Sequence, residues 1–309
     1  MKSEIIRLRP VVKDYAWGNN IFIPSLLGEK ATGQPQAELW MGAHKQGSCL
    51  IAETGESLRD FLDRNPYFAG CRADSFPFLF KVLAIEKPLS IQVHPDAEQA
   101  KRCFEEGNPN YSDPNPKAEM FYALTDCTLM CGLRKQYTKN EETLAMKEYL
   151  ERFYPGDPET SAPFRLNIVH LEAGEAVYLK PGILHAYIRG NGIELMNNSD
   201  NVIRAGLTSK HIDRNELDRI ALKTPYDPAL LGSFEDTGGE HFFTEAGFIL
   251  TVMKDGFFTY DTDTVKILIC TEGSATLNGY FRLSKGEVCI IAKGHTLCVE
   301  TDGTVFCAE

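Results

Sequence analysis

Ala173-Gly-Glu-Ala-Val-Tyr-Leu-Lys-Pro-Gly182 and Lys285-Gly-Glu-Val-Cys-Ile-Ile-Ala-Lys-Gly294 share one spacing. Each copy reads Gly-Glu, then a short strand of alternating pattern, then a turn glycine. A chain that repeats such a unit is expected to build two similar β-barrels. Just past the turn the copies part. The first continues Ile183-Leu184-His185-Ala186-Tyr187, with a histidine three residues after the glycine, where the second has Leu297. His295 stands at a different offset, and the pleat of a strand aims it elsewhere. A metal site is therefore expected in the first barrel and not in the second.

Outward from the repeat the pattern stays mostly β. Short apolar, β-branched or aromatic runs recur at Phe78 to Ile85, Leu89 to Val93, Met120 to Leu124, Leu166 to Leu171, Ala176 to Leu179, Ile193 to Met196, Val265 to Cys270, Val288 to Ile291 and Val305 to Cys307, separated by Gly, Pro, Asn and Asp. Helices are expected at Ser57 to Asn65, Asp96 to Glu106 and Asn140 to Phe153, with a weaker pattern at Asp213 to Lys223; Ser57 and the acidic turn after Pro95 are start signals. These helices decorate a β core. Pro, Gly and charge concentrate around residues 225–245, so the boundary is placed there: residues 1–235 form the metal-binding domain, with a short helical insertion around 139–155, and residues 236–309 a metal-free domain.

The chain has 309 residues, more than one core usually organises, which also favours two domains. Its net charge of −11 argues against nucleic acid and anionic membrane as partners and for a small molecule. The N-terminal residues do not read as a signal peptide, and no apolar run approaches a membrane span. Nine cysteines without a Cys-x-x-Cys pair fit reduced, buried thiols and a cytoplasmic location; Cys127 and Cys131 share a strand face but have no second pair.

Chemistry concentrates in Leu89-Ser90-Ile91-Gln92-Val93-His94-Pro95. On an extended strand Ser90, Gln92 and His94 share one face and Ile91 and Val93 the other, so the polar row lies on solvent or lines a functional interior. Lys117 and Glu119 share a face of another strand, as do His185 and Tyr187. Gln92, His94, Glu119 and His185 make a nitrogen and oxygen donor set without thiolate that suits zinc, if they converge.

The chain resembles the type I phosphomannose isomerases. The resemblance is carried by Tyr15-Ala-Trp-Gly18, Glu38-Leu-Trp-Met-Gly-Ala-His44, Phe78-Leu-Phe-Lys-Val-Leu83, Pro88-Leu-Ser-Ile-Gln-Val-His-Pro95, Lys117-Ala-Glu-Met120, Pro181-Gly182 with His185-Ala-Tyr187, and Ser199-Asp-Asn-Val-Ile-Arg-Ala-Gly-Leu-Thr208, in family order over most of the chain. It implies two cupin-type (jelly-roll) barrels and one zinc ion per chain on Gln92, His94, Glu119 and His185. It also implies catalytic positions at Arg204, Lys117 and Glu194, with substrate contacts from Ser90, Lys81, Tyr187 and Lys210. The implied reaction interconverts mannose 6-phosphate and fructose 6-phosphate through a cis-enediol, in a cytoplasmic monomer or homodimer. Two departures stand out. Pro116 replaces a histidine credited in relatives with opening the sugar ring, and the helical insertion is reduced. A silent phosphosugar-binding cupin is the alternative from another class, favoured by Pro116 alone; an iron oxygenase with two histidines and one carboxylate fits less well, because Gln92 makes a fourth ligand.

Overall fold

Strand Ile5–Arg9 pairs with strand Val288–Ile291, Ile5 opposite Ile291 and Leu8 opposite Val288. This nonlocal pairing decides how the chain is divided. The structure is a computed structural model describing residues 4–309, without the side chains of 260–262. Two compact units result: one gathers residues 1–15, 19–82 and 232–309, the other residues 16–18 and 83–231. The chain crosses between units near residues 82 and 232, and residues 19–82 join the C-terminal strands in one unit. A sheet extended by a strand from far away in sequence has no local signature.

In the first unit, Val288–Ile291 also pairs with Lys266–Glu272, which pairs with the long strand His295–Ala308, and that in turn with Ile249–Thr262. Inward residues alternate along these strands: Leu268, Cys270, Leu283, Cys289, Leu297 and Val299 form one buried apolar cluster. Within residues 225–245, where Pro, Gly and charge concentrate, the chain forms a hairpin, Ser233–Asp236 against Gly239–Phe243. Its first strand is wholly exposed, so its composition is that of a loop.

In the second unit, strand His185–Asn197 is the organising element. Its first half pairs with Cys127–Leu133 and, at His185, with Ile91–Val93; its second half pairs with Glu119–Ala123. Glu119–Ala123 also pairs with Ala176–Leu179. The insertion consists of helix Glu141–Phe153 and the 3-10 segment Pro158–Phe164, between strands Cys127–Leu133 and Leu166–Leu171.

The expected helices form at Leu58–Arg64, Ala97–Glu105, Glu141–Phe153 and Arg214–Ile220. Ser57, Asp96, Asn140 and Asp213 each accept a backbone N–H at the start. The last is shorter than expected, because Ala221 is extended and the Leu222 N–H donates to Gly182 O instead. Among the described residues, no helix is long and apolar enough to cross a membrane.

Candidate metal centre

The strand around Gln92 is buried on one side by Ile91 and Val93, 1% and 0% exposed, which leaves Gln92 and His94 facing the other way. His94 is anchored at its backbone by the turn that precedes His185: Gly182 N donates to His94 O at 2.9 Å. Gly182 adopts φ +81°, and a β-carbon there would stand 2.9 Å from Leu222 Cγ, so the turn requires glycine. Register then places His185 opposite Gln92 and Met196 opposite Glu119. One strand thus brings all four predicted donors to one side of the unit.

His94, Glu119 and His185 converge in the interior, 2%, 1% and 1% exposed, with donor atoms within 4.8 Å of one another. Among the described residues they are the only such group of three. His94 Nδ1 lies 2.8 Å from Asn201 O and His185 Nδ1 2.9 Å from Ile183 O. A carbonyl only accepts, so both Nδ1 atoms carry a proton and both rings turn Nε2 inward. Those nitrogens stand 3.1 and 3.2 Å from the two oxygens of Glu119. His94 Nε2 is buried and makes no hydrogen bond. Burial, with the nearby Lys117 charge, pushes the His94 pKa down to about 4, so the ring is neutral. The lone pair of the neutral His94 ring, turned onto an anionic carboxylate, is repelled unless a cation sits between them. The donors therefore fit a divalent metal of nitrogen and oxygen preference. The Gln92 amide is 3.5 Å from His185 Nε2, and a half-turn of that amide presents its oxygen to the same place.

Around the donors, Lys117, 6% exposed, sets its ammonium 3.0 Å from Glu119 Oε1. Burial raises the Glu119 carboxyl, but the Lys117 charge together with the contacts from His94 and His185 outweighs it and holds the group well below the usual range. Tyr187, 2% exposed and stacked on Phe121, donates its hydroxyl to Glu119 Oε2 at 3.2 Å. Burial first, then the Glu119 and Glu194 carboxylates, push the Tyr187 pKa far up, so it serves as a donor and not a base. Glu194 is buried directly opposite Phe121 in register, on the same long strand as His185. Arg204 pairs in backbone register with Gln92; it is half-buried, its charge is disfavoured by burial, and among the described residues no carboxylate pairs with it.

The remaining expected residues are placed differently. Ser90 is half-buried just before the strand, and Lys210 is exposed beyond Gly206, its backbone N–H on Thr208 Oγ1. Lys81 belongs to the first unit, 3.7 Å from Glu38 Oε2 and over the Trp40 ring. Cys127 and Cys131 are buried thiols, raised by burial to about 11 and 12, and not ligands. Two residues that hold the site, Asn197 and Asn201, carry no signal in residue type. Asn197 Oδ1 accepts from Ala118 N, beside Glu119, and Asn201 uses its backbone oxygen.

The family model "Phosphomannose isomerase type I, catalytic domain" matches residues 5–136. The mannose-6-phosphate isomerase of Escherichia coli K12 is 32% identical, covering 91% of this chain and 93% of its own. A variant of the phosphomannose isomerase of Salmonella typhimurium superposes with a TM-score of 0.88 at 29% identity, over 99% of both chains. A zinc-bound mannose 6-phosphate isomerase superposes at 0.85 and 28% identity, again over 99% of both. With sequence and fold in agreement over most of the chain, the chain belongs to the type I phosphomannose isomerases, enzymes of the mannose-6-phosphate isomerase class.

Proposed function

We propose that the chain interconverts mannose 6-phosphate and fructose 6-phosphate through a cis-enediol, with one zinc ion held by Gln92, His94, Glu119 and His185. One observation carries the reading: two imidazole Nε2 atoms are held by backbone carbonyls against a buried carboxylate. A bound zinc supplies positive charge against the oxyanions that develop at C1 and C2. With a neutral amide and a single carboxylate as ligands, the site keeps a net positive charge.

The other residues bind, orient and move protons. Lys117 and Glu194 are the two buried groups that can carry the proton between the carbons, and Lys117 also fixes the Glu119 carboxylate. Tyr187 stays protonated and donates into the site. Arg204 offers a planar guanidinium, without a carboxylate partner among the described residues, to anionic oxygens of the substrate. Ser90 and Lys210 supply the phosphate contacts. Pro116 leaves ring opening to another group or to solution chemistry.

Turnover of mannose 6-phosphate in D2O tests the reading together with elemental analysis. Deuterium in recovered substrate or product, with one zinc per chain, supports proton transfer. A hydride shift leaves the carbon-bound position unlabelled, and a zinc protein that binds the sugar phosphate without turnover supports the silent cupin instead.

A further inference from the structure

We infer that Asn201, which touches neither metal nor substrate in the proposed reaction, is the positioning residue that presets the spacing between His94 and Glu119. The inference rests on the reading of that cluster as a zinc centre.

Asn201 is wholly buried. Its backbone oxygen accepts the His94 Nδ1 proton at 2.8 Å, which fixes the tautomer and the angle of the ring. Its side chain works in another direction. Nδ2 donates to Asp113 O at 2.8 Å and Asn115 O at 2.9 Å, and Oδ1 accepts from Ser112 N at 2.9 Å. Residues 112–115 lead directly into Lys117 and Glu119. A single residue therefore grips the ring of one ligand with its main chain and the approach to the other with its amide. Neighbours reinforce the brace: Ser199 Oγ accepts from Asn201 N at 3.2 Å, and Asp113 Oδ2 accepts from Asp200 N at 2.9 Å. Strand pairing continues it, with Ile203 opposite Val93 and Arg204 opposite Gln92.

The geometry separates this role from plain stability. The hydrogen bonds close a loop of structure from His94 through Asn201 to 112–115 and on to Glu119, so loosening the amide lets the two donors drift apart. Side-chain amides elsewhere staple backbone without reaching a ligand. Asn140, for instance, caps helix Glu141–Phe153 through Thr143.

The test is the zinc Kd of the full chain, by competition with a chelator, and its melting temperature without metal, for Asn201→Ala, Asp113→Ala and Asn140→Ala. Asn201→Ala is expected to raise the zinc Kd about 10- to 100-fold, the range found when the support of a metal ligand is removed. Asp113→Ala, which loosens the same brace from the loop side, is expected to shift Kd in the same direction by less, and it carries the test should Asn201→Ala not fold. Asn140→Ala is expected to lower the melting temperature with Kd unchanged. Unchanged Kd in Asp113→Ala and in any folded Asn201→Ala overturns the inference. So does a rise in Asn140→Ala that follows its loss of stability, because the effect is then general. A wild-type chain that takes up no zinc overturns the proposed function itself, which is a separate outcome.

Discussion

The two copies of the repeat fold alike and hold different interiors. Strand Ala176–Leu179 turns through Gly182, at φ +81°, into His185–Asn197; strand Val288–Ile291 turns through Gly294, at φ +80°, into His295–Ala308. Three residues past the glycine stand His185 and Leu297, five past it Tyr187 and Val299, all of them buried. In one unit those positions face Glu119; in the other they close on Leu268, Leu283 and Cys289. Alternation and a glycine turn suffice for the barrel strand, while two inward side chains decide whether its interior is an apolar core or a donor set.

The sharpest way to break the comparison is to give the first copy the second copy's residue. His185→Leu is expected to lose bound zinc and all turnover above background, since the remaining donors no longer close around a cation. Elemental analysis and a coupled assay measure both, and a zinc-replete, active variant refutes the ligand set. A smaller effect is expected from Arg204→Lys, which keeps the charge and loses the planar fork. Without a carboxylate partner among the described residues, Arg204 has little structural work to lose, so kcat/KM should fall about ten- to a thousand-fold with the melting temperature nearly unchanged. Normal kinetics with lowered stability retire that role.

Leu297→Ala makes the complementary change in the other unit. Leu297 is fully buried in the apolar cluster, so truncation should cost about 2–5 kcal/mol, read from denaturant unfolding. Zinc content and the kcat of the folded fraction should stay as they were. A change in zinc content would show that the second interior also serves the metal.

Much of this contrast was legible in the sequence. Phe78–Ile85, Leu166–Leu171, Ala176–Leu179 and Val288–Ile291 form where apolar alternation is bounded by turn residues, and Ser57, Asp96, Asn140 and Asp213 cap helices as side chains of their type do. The long strands were legible only in pieces. Arg189-Gly-Asn-Gly192 interrupts the apolar pattern inside His185–Asn197, although the strand runs on through it while its pairing partner changes. The pairing of Ile5–Arg9 with Val288–Ile291 depends on residues far apart, which no window contains. Candidate ligands announced themselves by residue type, but their convergence is a product of register. Asn201 was hidden because its hold on His94 goes through a main-chain oxygen that every residue owns.

The smallest expected effect sharpens the comparison most finely, because it concerns a histidine that differs from His185 in position alone. His295 opens the strand His295–Ala308, one residue past Gly294 where His185 is three past Gly182. Both offsets are odd, yet the strand leaves the turn so that Leu297 and Val299 point inward while His295, at its end, stays at the rim. Its side chain is 36% exposed, and Nδ1 lies 3.4 Å from Glu4 Oε1, itself 48% exposed. A pair so placed is screened by water and worth about 0–1 kcal/mol. His295→Ala should therefore shift stability by less than about 1 kcal/mol, and the shift should shrink as salt is added. Zinc per chain and kcat/KM should match the wild type. Loss of metal from this variant would mean that imidazole itself, wherever it stands in the repeat, recruits zinc; retention ties the chemistry to the inward position that Gly182 and the pleat assign to His185.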